Sequence, residues 1–103
     1  MKAVIVTYTV SEEYAETNAA NIQAVMEELK ATGSDGIRYQ AFRQEDGVTF
    51  VHFGMYRDDA AQERATSLQS FKDFQAALRG SKPVSPPQAK WLDLVGAGHD
   101  LWG

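Results

Sequence analysis

Cysteine is absent from this 103-residue chain. Disulfides, thiolate nucleophiles and cysteine-held metals are therefore excluded together, and the composition suits a reducing compartment such as the cytoplasm. Histidine is scarce as well: His52 and His99 are the only two. A metal site would need carboxylates or a second copy of the chain, so neither a metal nor another cofactor is expected. Basic residues are outnumbered, ten Lys and Arg against fourteen Asp and Glu for a net charge of -4. The sequence thus lacks the positive stripe that neutralises phosphates, and nucleic acid is not an expected partner. No apolar run approaches the roughly 20 residues of a membrane span, which argues against a membrane partner. The apolar opening stretch is short, contains Thr and Tyr, and meets Ser11-Glu12-Glu13, so it reads as a strand rather than a signal peptide. Gly33-Ser34-Asp35-Gly36 has no phosphate-loop fingerprint.

What is present suits one globular domain over residues 1–103, with 44% hydrophobic and 23% charged residues. A domain of this size buries only roughly 60 to 70% of the surface its unfolded chain exposes. Packing against a second copy adds stability, and a homodimer is expected.

The order of hydrophobic periods defines the architecture. Ala3 to Val10 alternates Val4, Val6, Tyr8 and Val10 against Ala3, Ile5, Thr7 and Thr9, a strand with one strongly apolar face. Ser11 supplies a cap, with Glu12 and Glu13 in the first turn of a helix reaching Thr32. Ala15, Ala19, Ile22, Met26 and Leu29, widened by Val25, form its apolar stripe. A second strand, Ile37 to Gln44, reaches the Asp46-Gly47 turn, so the third, Val48 to Tyr56, must pair antiparallel with it. Asp58 or Asp59 caps a second helix, which restarts at Ser70 with Asp73 three residues on and ends at Gly80. Pro83, Pro86 and Pro87 mark an extended connection to a last strand, Ala89 to Val95. The result is an α+β, ferredoxin-like β-α-β-β-α-β chain with an antiparallel sheet. Its apolar tail, with Leu101 and Trp102, is expected to lie on this subunit or a partner.

The stretch Thr49-Phe50-Val51-His52-Phe53-Gly54-Met55-Tyr56-Arg57-Asp58, followed by Ser70-Phe71-Lys72-Asp73-Phe74, resembles the antibiotic biosynthesis monooxygenase family of dimeric α+β barrels. The resemblance implies that two subunits join their sheets into a shared barrel, each keeping a pocket between sheet and helices. Where many members carry a Glu two residues before the strand-end aromatic, this chain has Gly54. The positions that haem-degrading members use fall on Val6, Ala65 and Gln75, which argues against that activity here.

His52 and Tyr56 lie on one face of the third strand, and strand period predicts that they share a pocket. An imidazole that accepts a proton near neutral pH suits deprotonation of a phenol or hydroquinone, leaving a carbon or oxygen centre that oxygen can attack. Tyr56 and Tyr8 are the candidates for orienting the substrate. Phe71, Phe74, Leu68 and Gln75 are the candidates for lining the cavity. The expected function is cofactor-independent, monooxygenase-like chemistry on a small apolar or aromatic molecule. The alternative is a non-catalytic, dimeric ligand-binding or stress-response module of the same fold.

Overall fold

The computed structural model describes residues 1–103, whose elements run β1 (Lys2–Thr9), α1 (Glu12–Thr32), β2 (Ile37–Arg43), β3 (Thr49–Tyr56), α2 (Asp59–Thr66), α3 (Gln69–Gly80) and β4 (Ser85–Leu92). The strands form one antiparallel sheet in the order β2-β3-β1-β4. Alternation on the two central strands turns Val4, Val6, Tyr8, Phe50, His52 and Tyr56 toward the helices. This is the α+β ferredoxin-like arrangement.

Local chemistry explains the boundaries. Ser11 caps α1 by accepting from the Tyr14 amide, and Asp58 caps α2 by accepting from the Ala61 amide. In the β2–β3 turn, Gly47 takes φ +79°, where a side chain would be strained. The Asp46 carboxylate accepts from the Val48 and Thr49 amides at 3.0 and 2.9 Å and from the Thr49 hydroxyl at 2.6 Å. Asp46 thereby holds the two strand ends in register.

Three sequence expectations are corrected. First, α3 starts at Gln69 behind Leu68, which makes no side-chain cap, rather than at a Ser70–Asp73 box. Its cap comes from another helix: the Glu28 carboxylate on α1 accepts from the Ser70 amide at 2.9 Å and the Ser70 hydroxyl at 2.6 Å. Second, β4 begins at Ser85, not Ala89, and includes Pro86 and Pro87. The strand tolerates them because it is at the sheet edge and its register against β1 shifts there, Thr7 facing Gln88 while Thr9 faces Ser85. Third, the buried stripe of α1 is Ala15, Asn18, Ile22, Val25 and Leu29, with Ala19 and Met26 at its partly exposed margin. The helix is rolled so that a polar residue enters the core.

Two apolar clusters fill the space between sheet and helices. One joins Tyr8, Val10, Phe50, Ile22, Val25, Phe74 and Leu78; the other joins Leu29, Ile37, Tyr56, Ala61 and Ala65. On the opposite face the chain after β4 folds back toward Arg38 and Met55, and the Arg38 guanidinium lies 5.2 Å from the centre of the Trp102 ring. The remainder of that side is open. Phe42 is 57% exposed there, and the edge strand β4 is exposed on both faces, with Trp91, opposite Val4 on the helix side, at 59%.

Candidate active site

Register places the polar side chains of the helix-facing surface. His52 lies opposite Val6 on one side and Ala41 on the other, so Tyr8 of β1 and Tyr39 of β2 are its diagonal neighbours. Both reach it. The Tyr8 hydroxyl is 2.8 Å from His52 Nε2, and the Tyr39 hydroxyl is 2.7 Å from Nδ1. Asn18 of α1 extends the line by donating from Nδ2 to the Tyr8 oxygen at 2.8 Å. The imidazole packs 5.3 Å from the Phe74 ring, and Phe71 meets Tyr39 edge-on at 6.2 Å.

Beside this row lies a cavity of about 110 Å³, bounded by Val6, Tyr8, Tyr39 and His52 from the sheet, by Phe71, Phe74, Gln75 and Leu78 from α3, and by Pro87 of β4. No Lys, Arg, Asp or Glu lines it. The volume is of the order known to admit a single benzene-sized ring.

Burial determines the protonation states. His52 is 4% exposed, and desolvation lowers its pKa to about 4. Desolvation raises Tyr8 to about 12, outweighing the hydrogen bond from Asn18, and raises Tyr39 as well. At neutral pH the row is uncharged. This corrects the expectation of an imidazole acting as a free base near pH 7: both nitrogens are engaged by tyrosines, and burial opposes the charged form.

The structure brings Tyr8, His52, Phe71, Phe74 and Gln75 to one cavity. It does not bring Tyr56 or Leu68 there, so the expectation that His52 and Tyr56 share a pocket is corrected. The Tyr56 ring folds back over Gly54, its hydroxyl 2.8 Å from where a Cβ at position 54 would stand, and packs with Leu29, Ile37, Ala61 and Ala65. Tyr56 and Leu68 border a separate crevice, and Tyr39 and Phe71 form the partition between the two. The strand-end arginines are committed elsewhere, Arg57 to Asp35 at 3.1 Å and Arg43 to Glu16 at 2.8 Å. His99 meets the Asp100 backbone oxygen rather than its carboxylate.

Two residues of the row escaped sequence reasoning. Tyr39 shares the face of Ile37 and Ala41, and its diagonal place beside His52 comes from the pairing of β2 with β3. Asn18 sits between Ala15 and Ile22 at the helical spacing of the stripe, and a lone carboxamide among apolar positions was the available signal.

A sheet of this order, backed by helices with a pocket between the layers, defines a class of small α+β proteins. The family profile described as antibiotic biosynthesis monooxygenase matches residues 1–77, and the chain belongs to that family. Among solved structures it is similar to a Mycobacterium tuberculosis protein, Rv0793, at 20% identity and a TM-score of 0.78, with 95% of this chain and 98% of that chain covered. It is also similar to a Pseudomonas aeruginosa protein, PA3566, at 22% identity and a TM-score of 0.74, covering 92% and 94%. SnoaB, a cofactor-independent oxygenase from Streptomyces nogalater, aligns at 18% identity and a TM-score of 0.64, covering 96% and 97%. At these identities the likeness concerns the fold. No curated protein matches the chain. No helix is long and apolar enough to cross a membrane, and no group of three or more His, Asp or Glu is placed to hold a metal ion.

The buried imidazole carries a pH signature. Its pKa falls from 6.5 to about 4 on folding, so between those values the unfolded chain binds more protons and stability rises with pH. Acidification from pH 7 to 4 is expected to remove on the order of 3 kcal/mol through this group. Carboxyls such as Asp35 and Asp46, held low by their partners, lose stability in the same direction at lower pH. Urea unfolding of the native chain and His52→Gln across pH 4 to 7 isolates the histidine. The native chain should show the steeper loss, and parallel curves would contradict a neutral buried His52.

Proposed function

We propose that the chain is a cofactor-independent, monooxygenase-like enzyme acting on a compact aromatic molecule that carries a ring oxygen. The observation that carries this reading is the uncharged Tyr8–His52–Tyr39 row on one wall of an apolar cavity of one-ring size. Family membership and the likeness in fold to a cofactor-independent oxygenase support it. Phe71 and Phe74 hold the ring, Gln75 offers a polar contact at the wall, and Tyr39 meets the ring oxygen. His52 and Tyr8 stand behind Tyr39 and stabilise negative charge on that oxygen as electron density moves to dioxygen. For a phenol bearing hydrogen at the para carbon the balance closes: phenol and O2 give a quinone and water, the ring supplying all the electrons that O2 takes up. Tyr56 keeps a packing role in this scheme.

A second reading is favoured by one observation, the weak basicity of an imidazole whose two nitrogens are both occupied. On that reading the cavity binds a small aromatic ligand without turning it over. Oxygen uptake with a panel of phenols, naphthols and hydroquinones separates the two. Catalysis predicts uptake that falls by roughly 10²-fold or more in both His52→Ala and Tyr39→Phe. Uptake indifferent to both changes removes these residues from the mechanism, and ligand binding with no uptake establishes the second reading.

We also propose that the active form is a homodimer joined through the open sheet face and the exposed β4. Phe42, Trp91 and Leu92 are 57, 59 and 40% exposed in the single chain, more apolar surface than a small monomer keeps in water without reason. Light scattering at micromolar concentration should return twice the monomer mass; a monomer mass at that concentration would refute the dimer.

A further inference from the structure

Hydrogen-bond arithmetic along the buried row fixes a direction. A carboxamide nitrogen only donates, so the contact from Asn18 Nδ2 makes the Tyr8 oxygen an acceptor. Tyr8 is 2% exposed, and its own proton has one acceptor within reach, His52 Nε2 at 2.8 Å. A neutral imidazole whose Nε2 accepts must carry its proton on Nδ1, which then donates to the Tyr39 oxygen at 2.7 Å. The Tyr39 proton is left over, and Tyr39, less deeply buried than Tyr8, borders the cavity. In the reverse arrangement Nε2–H and Asn18 would both donate to Tyr8, and the Tyr8 proton would lose its partner inside the core. Turning the Asn18 amide over to accept that proton would strand its NH2 group. As placed, only Asn18 Oδ1 is unpaired, and buried orphan carbonyl oxygens are tolerated better than orphan N–H groups.

We propose that Asn18 is a positioning residue that polarises the row from Tyr8 through His52 to Tyr39, so that the Tyr39 O–H is presented to the cavity and selects ligands with an acceptor oxygen, a phenolate, quinone or aryl ketone. This rests on the reading of the cavity as the functional site and adds its hydrogen-bond polarity. Asn18 and His52 meet at the same Tyr8 hydroxyl, and Asn18 acts on the imidazole through it. Burial supports the scheme by keeping His52 and both tyrosines neutral at pH 7.

The imidazole tautomer reports the direction without any substrate. In ¹⁵N NMR of the histidine-labelled protein at pH 7, His52 should show a protonated Nδ1 and an unprotonated Nε2. In Asn18→Asp the new carboxyl becomes acceptor-only once it is ionised, and burial raises the pH at which that happens; above that pH it should take the Tyr8 proton and switch His52 to the Nε2–H form. The Tyr39 proton then turns to Nδ1 and the cavity loses its donor. Binding of acetophenone, an acceptor-only probe, should weaken about tenfold, the loss of one hydrogen bond. Phenol, which both donates and accepts, should change less. An Nε2–H tautomer in the unaltered protein overturns the proposal, whatever the behaviour of the variant. An unswitched tautomer in a folded Asn18→Asp protein whose new carboxyl is shown by its ¹³C shift to be ionised overturns it as well. A protein with the expected tautomer that consumes no oxygen would refute the catalytic reading while leaving this polarity intact.

Discussion

An imidazole removed from water must have both nitrogens satisfied, and the rest of this site follows from that requirement. His52 lies on a central strand under the helices, 4% exposed, where an unpaired polar atom would carry its full desolvation penalty of about 1–3 kcal/mol. The antiparallel sheet offers diagonal neighbours on both sides, and each is a tyrosine long enough to reach a ring nitrogen. Tyr8 then needs a donor for its oxygen, and the roll of α1 brings Asn18 to it. An apolar residue at any one of these positions would strand the next. The row is therefore a single cooperative unit rather than four separate choices.

The same arrangement shapes the cavity. Tyr8 and Tyr39 turn their hydroxyls to His52, and with it they line a hollow closed on its other side by Phe71, Phe74 and Leu78 of α3. Helix α3 is held over that hollow from its start, where Glu28 of α1 accepts from the Ser70 amide and hydroxyl. Nearby, Gly54 leaves room for the Tyr56 ring to lie back, which fills the second cluster and keeps Tyr56 away from the cavity. A Glu side chain at position 54 would compete for the space that Tyr56 now takes.

Most of the architecture was legible because it depends on short-range signals. Alternation, the caps at Ser11 and Asp58, and the Asp46-Gly47 turn each act within a few residues, and the order of elements follows from them. The start of α3 was not legible, because its cap comes from Glu28, 42 positions away. The start of β4 was hidden by Pro86 and Pro87, which propensity reads as breakers but which an edge strand with a shifted register accommodates. For the site, strand period put Tyr8 on the apolar face of the first strand and His52 on one face of the third with Tyr56, and the pairing of β1 with β3 brings Tyr8 to His52. Strand period failed for Tyr56, since it fixes the face and not where a long side chain goes. Asn18 and Tyr39 required the roll of a helix and a diagonal across two strands, both tertiary facts.

The central claim is that the Tyr39 end of a buried, neutral row meets the oxygen of a small aromatic ligand. A crystal structure of the protein soaked with phenol tests it most directly. The account predicts a ring packed against Phe71 and Phe74 in the cavity, with its oxygen within hydrogen-bond distance of the Tyr39 hydroxyl. A ring seated elsewhere, such as in the hollow of about 550 Å³ between the sheet and the carboxyl-terminal tail, with the cavity beside His52 empty, would contradict it.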